Sequence, residues 1–148
     1  MPAVSIRLKR FEKSVPPADQ TGETGTHIMS DRNQTPHPPF QPEQHQISAK
    51  SLKQKLDDGH PLSLIDVREP FEYQIVNLAG ASLIPLNTLP NCLGQIDANR
   101  EIVVYCHHGI RSMHAAYFLY ENGFPNVKSL AGGIDQWAIE IDPTVRRY

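Results

Sequence analysis

The chain has 148 residues, 39% of them hydrophobic, with 14 Lys and Arg against 16 Asp and Glu for a formal net charge of −2. That size suits one domain of ordinary dimensions with a tail. The charge balance, without a long basic run, leaves no electrostatic footprint for nucleic acid or an anionic membrane. No stretch reaches the roughly 18 uninterrupted apolar residues of a membrane-spanning helix, and the start of the chain lacks the apolar run of a secretory signal. Two cysteines, Cys92 and Cys106, are too few for a disulfide scaffold and show no C-x-x-C spacing. A soluble cytoplasmic protein with at least one free thiol is the expectation.

Residues 1–46 hold only 11 hydrophobic residues but 7 of the 13 prolines, and Thr35 to Pro42 is too proline-rich for a helix or a central strand. Residues 1–44 therefore read as a disordered tail, and 45–148 as the folded domain. The basic cluster Arg7, Lys9, Arg10 and Lys13 is balanced by Asp19 and Glu23 and reads as solvated tail, and Met29 is a second candidate start. From Ser48, an N-cap residue, a helix carries Leu52 and Leu56 inward at i, i+4 spacing and stops at Gly59. Leu62 to Asp66 reads as a buried strand, Glu69 to Gln74 as a short helix with Pro70 in its first turn, and Ala81 to Ile84 as a second strand. Leu89 to Ile96 reads as a helix. Glu101 to Tyr105, β-branched and almost wholly apolar, is the strongest strand signal and belongs at the centre of a parallel sheet. A tight loop, Cys106 to Ile110, leads into a helix from Arg111 to Asn122. Val127 to Leu130 is a further strand, Gly132-Gly133 a turn, and Ile134 to Ile139 a last helix with the only tryptophan, Trp137, as core anchor. Alternating strands and helices with short connections imply an α/β sheet covered on both faces.

Cys106-His107-His108-Gly109-Ile110-Arg111-Ser112 puts a thiol directly after a buried strand and before a helix, where open α/β sheets bind ligands. Free amides of the first helical turn and of the loop favour negative charge on sulfur or a bound oxyanion. A cysteine so placed is expected to be a reactive thiolate. Gly109 permits close backbone approach or positive φ, and Arg111 supplies a fixed charge and a donor fork.

This loop resembles the active loop of single-domain rhodaneses, the thiosulfate sulfurtransferase-like family, in which a Cys opens a six-residue loop closed by Arg. Asp66-Val67-Arg68-Glu69-Pro70-Phe71-Glu72-Tyr73 is similar to a second family signature, and Leu130-Ala131-Gly132-Gly133-Ile134 with Trp137 to a third. Where the family pattern has His-Ile-Pro-Gly-Ala, this chain has Asn77-Leu78-Ala79-Gly80-Ala81. The resemblance implies a rhodanese-like α/β fold, a five-stranded, mostly parallel sheet with helices on both faces.

It also implies a mechanism. Cys106 attacks the outer sulfur of a small donor such as thiosulfate, sulfite leaves, and a thiol, cyanide or protein acceptor takes the sulfur from the Cys106 persulfide. His107, His108, Gly109, Ile110 and Arg111 would bind the donor, and Asp66 and Arg68 would hold the loop in place. Phosphatase or arsenate-reductase chemistry is disfavoured, since Cys106 to Arg111 is Cys-x4-Arg and a tetrahedral phosphate needs one residue more. His107, His108, His114 and Cys106 do not make a four-ligand zinc set at suitable spacing, so neither metal nor cofactor is expected. Cys92 reads as a packing residue. The end of the chain, Glu140 to Val145, resembles tails of rhodanese domains fused to enzymes that adenylate sulfur-carrier proteins, which keeps open a persulfide relay to a partner protein.

Overall fold

The computed structural model describes residues 37–148, so most of the expected tail lies outside the described residues. The folded body runs from Phe40 to Tyr148, ahead of the start expected at residue 45. Phe40 anchors that lead-in: its ring stacks on His45 at 4.8 Å, meets Tyr117 edge-on at 5.2 Å and packs against the core. A short 3-10 turn, Pro42–Gln44, follows.

The elements in chain order are β1 (Gln46–Ile47), α1 (Ala49–Asp57), β2 (Leu62–Asp66), α2 (Pro70–Ile75), β3 (Ser82–Leu83), β4 (Glu101–Tyr105), α3 (Ile110–Glu121), β5 (Val127–Leu130) and α4 (Gly133–Glu140). The strands form one sheet in the order β1-β5-β4-β2-β3, and every pairing is parallel. Parallel pairing demands crossovers, and the helices that supply them cover both faces. Alternation along β4 makes this visible. Ile102 and Val104 pack with Ala115, Ala116 and Leu119 of α3, while Val103 and Tyr105 pack with Leu52 of α1 and Ile134 and Trp137 of α4. Leu52, Leu89 and Leu119 are fully buried, each contributing roughly 2 kcal/mol by the area removed from water. Glu101, at the buried start of β4, is held by Lys55 at 2.9 Å, His60 at 3.0 Å and Lys128 at 3.4 Å. Among the described residues no helix is long and apolar enough to cross a membrane.

Two local expectations fail. Leu89 to Ile96 is not a helix but parts of two 3-10 turns, Leu86–Asn91 and Leu93–Gln95. Pro90 removes an N–H and blocks the preceding carbonyl, and Gly94 adds backbone freedom. Leu56 is not buried as Leu52 is: it remains 37% exposed, at the last turn of α1, lining a cavity with Leu78 and Trp137. The N-cap holds as expected, with Ser48 Oγ accepting from the Ser51 amide at 3.0 Å.

Candidate active site

Cys106 leaves β4 at the carboxyl end of the sheet's central strand and is 1% exposed. The chain turns at Gly109, whose φ of 109° no other residue type adopts without strain, and enters α3. The turn aims amides back at the sulfur: Gly109 N–H donates to Sγ at 3.1 Å and Ser112 N–H at 3.3 Å. With the positive end of α3 behind them, these donors favour anionic sulfur. The Ser112 hydroxyl lies 3.5 Å from Sγ, and Ser129 Oγ lies 2.7 Å from Ser112 Oγ.

A second backbone layer holds the loop. The Gly132-Gly133 turn brings the first amides of α4 onto the loop carbonyls, Ile134 N–H to Cys106 O at 2.9 Å and Asp135 N–H to His107 O at 3.1 Å. Gly133 is needed for contact as well as for its φ of 63°: a Cβ there would overlap the His107 carbonyl and lie 2.6 Å from Cys106 O.

Arg111 donates to Glu72, Nη1 to Oε2 at 2.7 Å and Nη2 to Oε1 at 3.0 Å, so the fork expected to grip a donor is engaged by a carboxylate. Glu72 also accepts from Glu69 N–H at 3.1 Å and from the Tyr148 hydroxyl at 2.8 Å. Arg111 chiefly, with these two donors, outweighs burial and holds the Glu72 pKa at about 2. Tyr148 Oη accepts from Arg68 Nη1 at 2.7 Å. Burial, with help from the Glu72 carboxylate, pushes the phenol up to about 12, so it stays a donor. Arg68 and Asp66 are both fully buried and paired at 2.6 Å, and Arg68 also donates to Val76 O at 2.6 Å. Burial opposes the Arg68 charge, but the Asp66 and Tyr148 bonds outweigh it and hold the guanidinium charged. Asp66 and Arg68 thus connect to the loop through Tyr148 and Glu72, with no direct bond to residues 106–111 among the described residues.

The His107 ring is sandwiched between His108, centroids 3.9 Å apart, and Tyr148, 4.0 Å apart with planes at 9°. Burial, with the neighbouring His108, pushes the His107 pKa down, and its Nε2 is buried without a hydrogen-bond partner. His108 and Ile110 are exposed and line a surface cavity with Gly109, and Phe71, next to Glu72 in the chain, is exposed as well. His107, His108 and Asp135 bring donor atoms within 4.8 Å of one another. Both Asp135 oxygens are already bonded by Arg147, at 2.8 and 3.3 Å. Both cysteines are free. Sequence reasoning gave Glu72, Tyr148 and Ser129 no part in the site, and gave Gly133 a place in a turn but no contact with the thiol loop. Glu72 and Gly133 lay inside quoted motifs, whereas nothing local marks Tyr148 or Ser129.

Residues 48–140 match the model of the rhodanese-like domain. A "Probable adenylyltransferase/sulfurtransferase MoeZ" of Mycobacterium tuberculosis is 38% identical over 104 residues, 69% of this chain and 26% of that protein. The chain thus spans about a quarter of the length of that relative. A sulfurtransferase of Allochromatium vinosum is 34% identical over 93 residues, 63% of this chain and 87% of its own. The solved rhodanese-related protein of Thermoplasma volcanium superposes with a TM-score of 0.62 at 31% identity, covering 70% of this chain and 99% of that one. With the family model spanning most of the folded body and the thiol loop in its expected place, the chain belongs to the rhodanese-like domain family.

Proposed function

We propose that the protein is a sulfurtransferase that takes sulfane sulfur from thiosulfate or a similar donor and holds it as a persulfide on Cys106. Sulfur transfer as the class of chemistry rests on family membership and on relatives named sulfurtransferases. The observation that carries the residue assignment is the pair of amides on Sγ, Gly109 N–H at 3.1 Å and Ser112 N–H at 3.3 Å. Cys106 Sγ attacks the outer sulfur, the S–S bond of the donor breaks, and sulfite departs with the electron pair. The acceptor's thiolate or cyanide carbon then attacks the bound sulfur, and the Sγ–S bond breaks with its pair returning to Sγ. The loop donors stabilise negative charge in both half-reactions.

The same intermediate serves a relay to a protein acceptor. Phe71 at 64% and Ile110 at 71% exposure are the chain neighbours of the paired Glu72 and Arg111, and exposed apolar groups flanking such a pair suit a macromolecular partner. Mass spectrometry after incubation with thiosulfate tests the central claim. A gain of about 32 Da, one sulfur atom, is expected on the Cys106 peptide, lost on adding cyanide. Cys106→Ser should carry no adduct and Cys92→Ser should retain it; an adduct on Cys92 alone overturns the assignment.

A further inference from the structure

Ser112 and Ser129 are buried at 0% and 1% exposure beneath the proposed nucleophile. Ser129 comes from β5, in register with Gln46 of β1 and Val104 of β4. Their hydroxyls are 2.7 Å apart, and either can be the donor. Ser112 Oγ is in turn 3.5 Å from Sγ. The three atoms therefore form one chain from the sheet interior to the sulfur, with Ser129 Oγ bonded to Ser112 among the described residues.

We propose that Ser129 is a positioning residue for Cys106, orienting the Ser112 hydroxyl in a hydrogen-bond chain whose direction reverses with the state of the sulfur. This rests on Cys106 as the nucleophile. In the thiol, S–H donates to Ser112 Oγ and Ser112 donates to Ser129. When a solvent base removes the thiol proton, sulfur retains only lone pairs. Ser129 then donates to Ser112, and Ser112 donates to Sγ. No bond other than S–H is broken. The second direction also serves sulfur release, when the Sγ–S pair returns to Sγ and a donor is needed on the departing thiolate.

The charged groups around the sulfur come from elsewhere. Arg111 of α3 is the cation that senses Cys106, Glu72 of α2 neutralises it at 2.7 Å, and His107 and His108 belong to the loop. Lys128, next to Ser129 on β5, points its ammonium to Glu101 at 3.4 Å. Removing the Ser129 hydroxyl therefore changes a hydrogen bond and no charge. A purely structural serine would alter stability and leave the ionisation of Cys106 where it was.

The test is the pH dependence of iodoacetamide labelling of the Cys106 peptide, read by mass spectrometry on the folded full chain. Ser129→Ala, a nearly isosteric change, should move the labelling midpoint upward by roughly half to one pH unit, the worth of one hydrogen bond between uncharged groups. Ser112→Ala should move it at least as far. Ser112→Ala with Ser129→Ala should move it no further than Ser112→Ala alone, because Ser129 acts only through Ser112. Ser129→Thr, which keeps the hydroxyl, should restore the midpoint. An unshifted midpoint in Ser129→Ala, or additive shifts in the double variant, overturns the chain. Sulfur loading separates this from the proposed function. A wild-type protein that labels as expected but never gains sulfur defeats the transferase reading alone, and normal loading with an unshifted Ser129→Ala midpoint defeats the hydrogen-bond chain alone.

Discussion

Arg111 and Glu72 form a two-pronged ion pair, at 2.7 and 3.0 Å, between the end of the thiol loop and the first turn of α2. The Glu72 side chain is 6% exposed and the Arg111 side chain 35%. The pair is therefore asymmetric. Removing the arginine strands a buried carboxylate, whereas removing the carboxylate leaves a guanidinium that water can reach. A loop arginine read from sequence as a donor-binding charge is, in the fold, also the fastening of the loop.

Arg111→Ala should accordingly lose stability as well as sulfurtransferase rate. The expected loss is roughly 1–3 kcal/mol, below that of breaking a wholly buried pair because Arg111 is partly solvated. Arg111→Ala with Glu72→Gln should recover part of it, since the stranded charge is gone. Urea unfolding of the three variants decides the matter. If Arg111→Ala unfolds at the wild-type midpoint, the pair is not a fastening.

The same pair sets an acid limit. The Glu72 pKa is lowered from 4.5 to about 2, chiefly by the Arg111 bonds. A depressed carboxylate pKa contributes stability that is present above the unfolded value and lost as pH falls through the folded one. Unfolding free energy should thus fall between about pH 4.5 and pH 2, and Glu72→Gln should flatten that slope. Equal slopes in the two proteins would remove Glu72 from the account.

Tyr148 links two ion pairs through one oxygen, accepting from Arg68 at 2.7 Å and donating to Glu72 at 2.8 Å, while its ring lies on His107. Tyr148→Phe keeps the stack and deprives the buried Arg68 of an acceptor. It should cost roughly 1–2 kcal/mol in thermal unfolding and retain most sulfur transfer. Tyr148→Ala removes the stack too and should lower the rate further by freeing the loop at His107. Identical rates in the two variants would mean that the ring contributes nothing to the site.

What was legible in the sequence follows the range of the forces involved. β4 announces itself because a central parallel strand is buried on both faces and apolar along its run, as Ile102 to Val104 are, whereas β2 and β5 are read from shorter apolar stretches interrupted by Ser63 in one and by Lys128 and Ser129 in the other. The thiol loop is legible because strand, glycine, arginine and helix lie within a few neighbouring residues. β1 has two residues, too few for any periodicity, while β3, equally short, falls inside the strand read from Ala81 to Ile84. Pro90 outweighed the leucines around it. The partners of the loop were hidden for another reason: Arg111 meets Glu72 across 39 residues and Arg68 meets Tyr148 across 80. Such pairs are produced by topology, and no local pattern encodes them.

The Gly133 contact gives the sharpest single-atom test of the loop's support. At this residue φ is 63°, and a Cβ would overlap the His107 carbonyl and sit 2.6 Å from Cys106 O. Backbone carbonyls held by α4 amides cannot step aside without breaking the Ile134 bond to Cys106 O at 2.9 Å. Gly133→Ala should therefore displace the thiol loop, with a large loss of sulfur transfer and a stability loss above the roughly 1–2 kcal/mol of left-handed backbone strain alone. Gly59 isolates the strain component, since its φ is 70° and a Cβ there meets nothing within 4 Å. Gly59→Ala should lose only that increment and keep full activity. If the two variants behave alike in both stability and rate, the close approach of the Gly132-Gly133 turn to the loop has no functional weight.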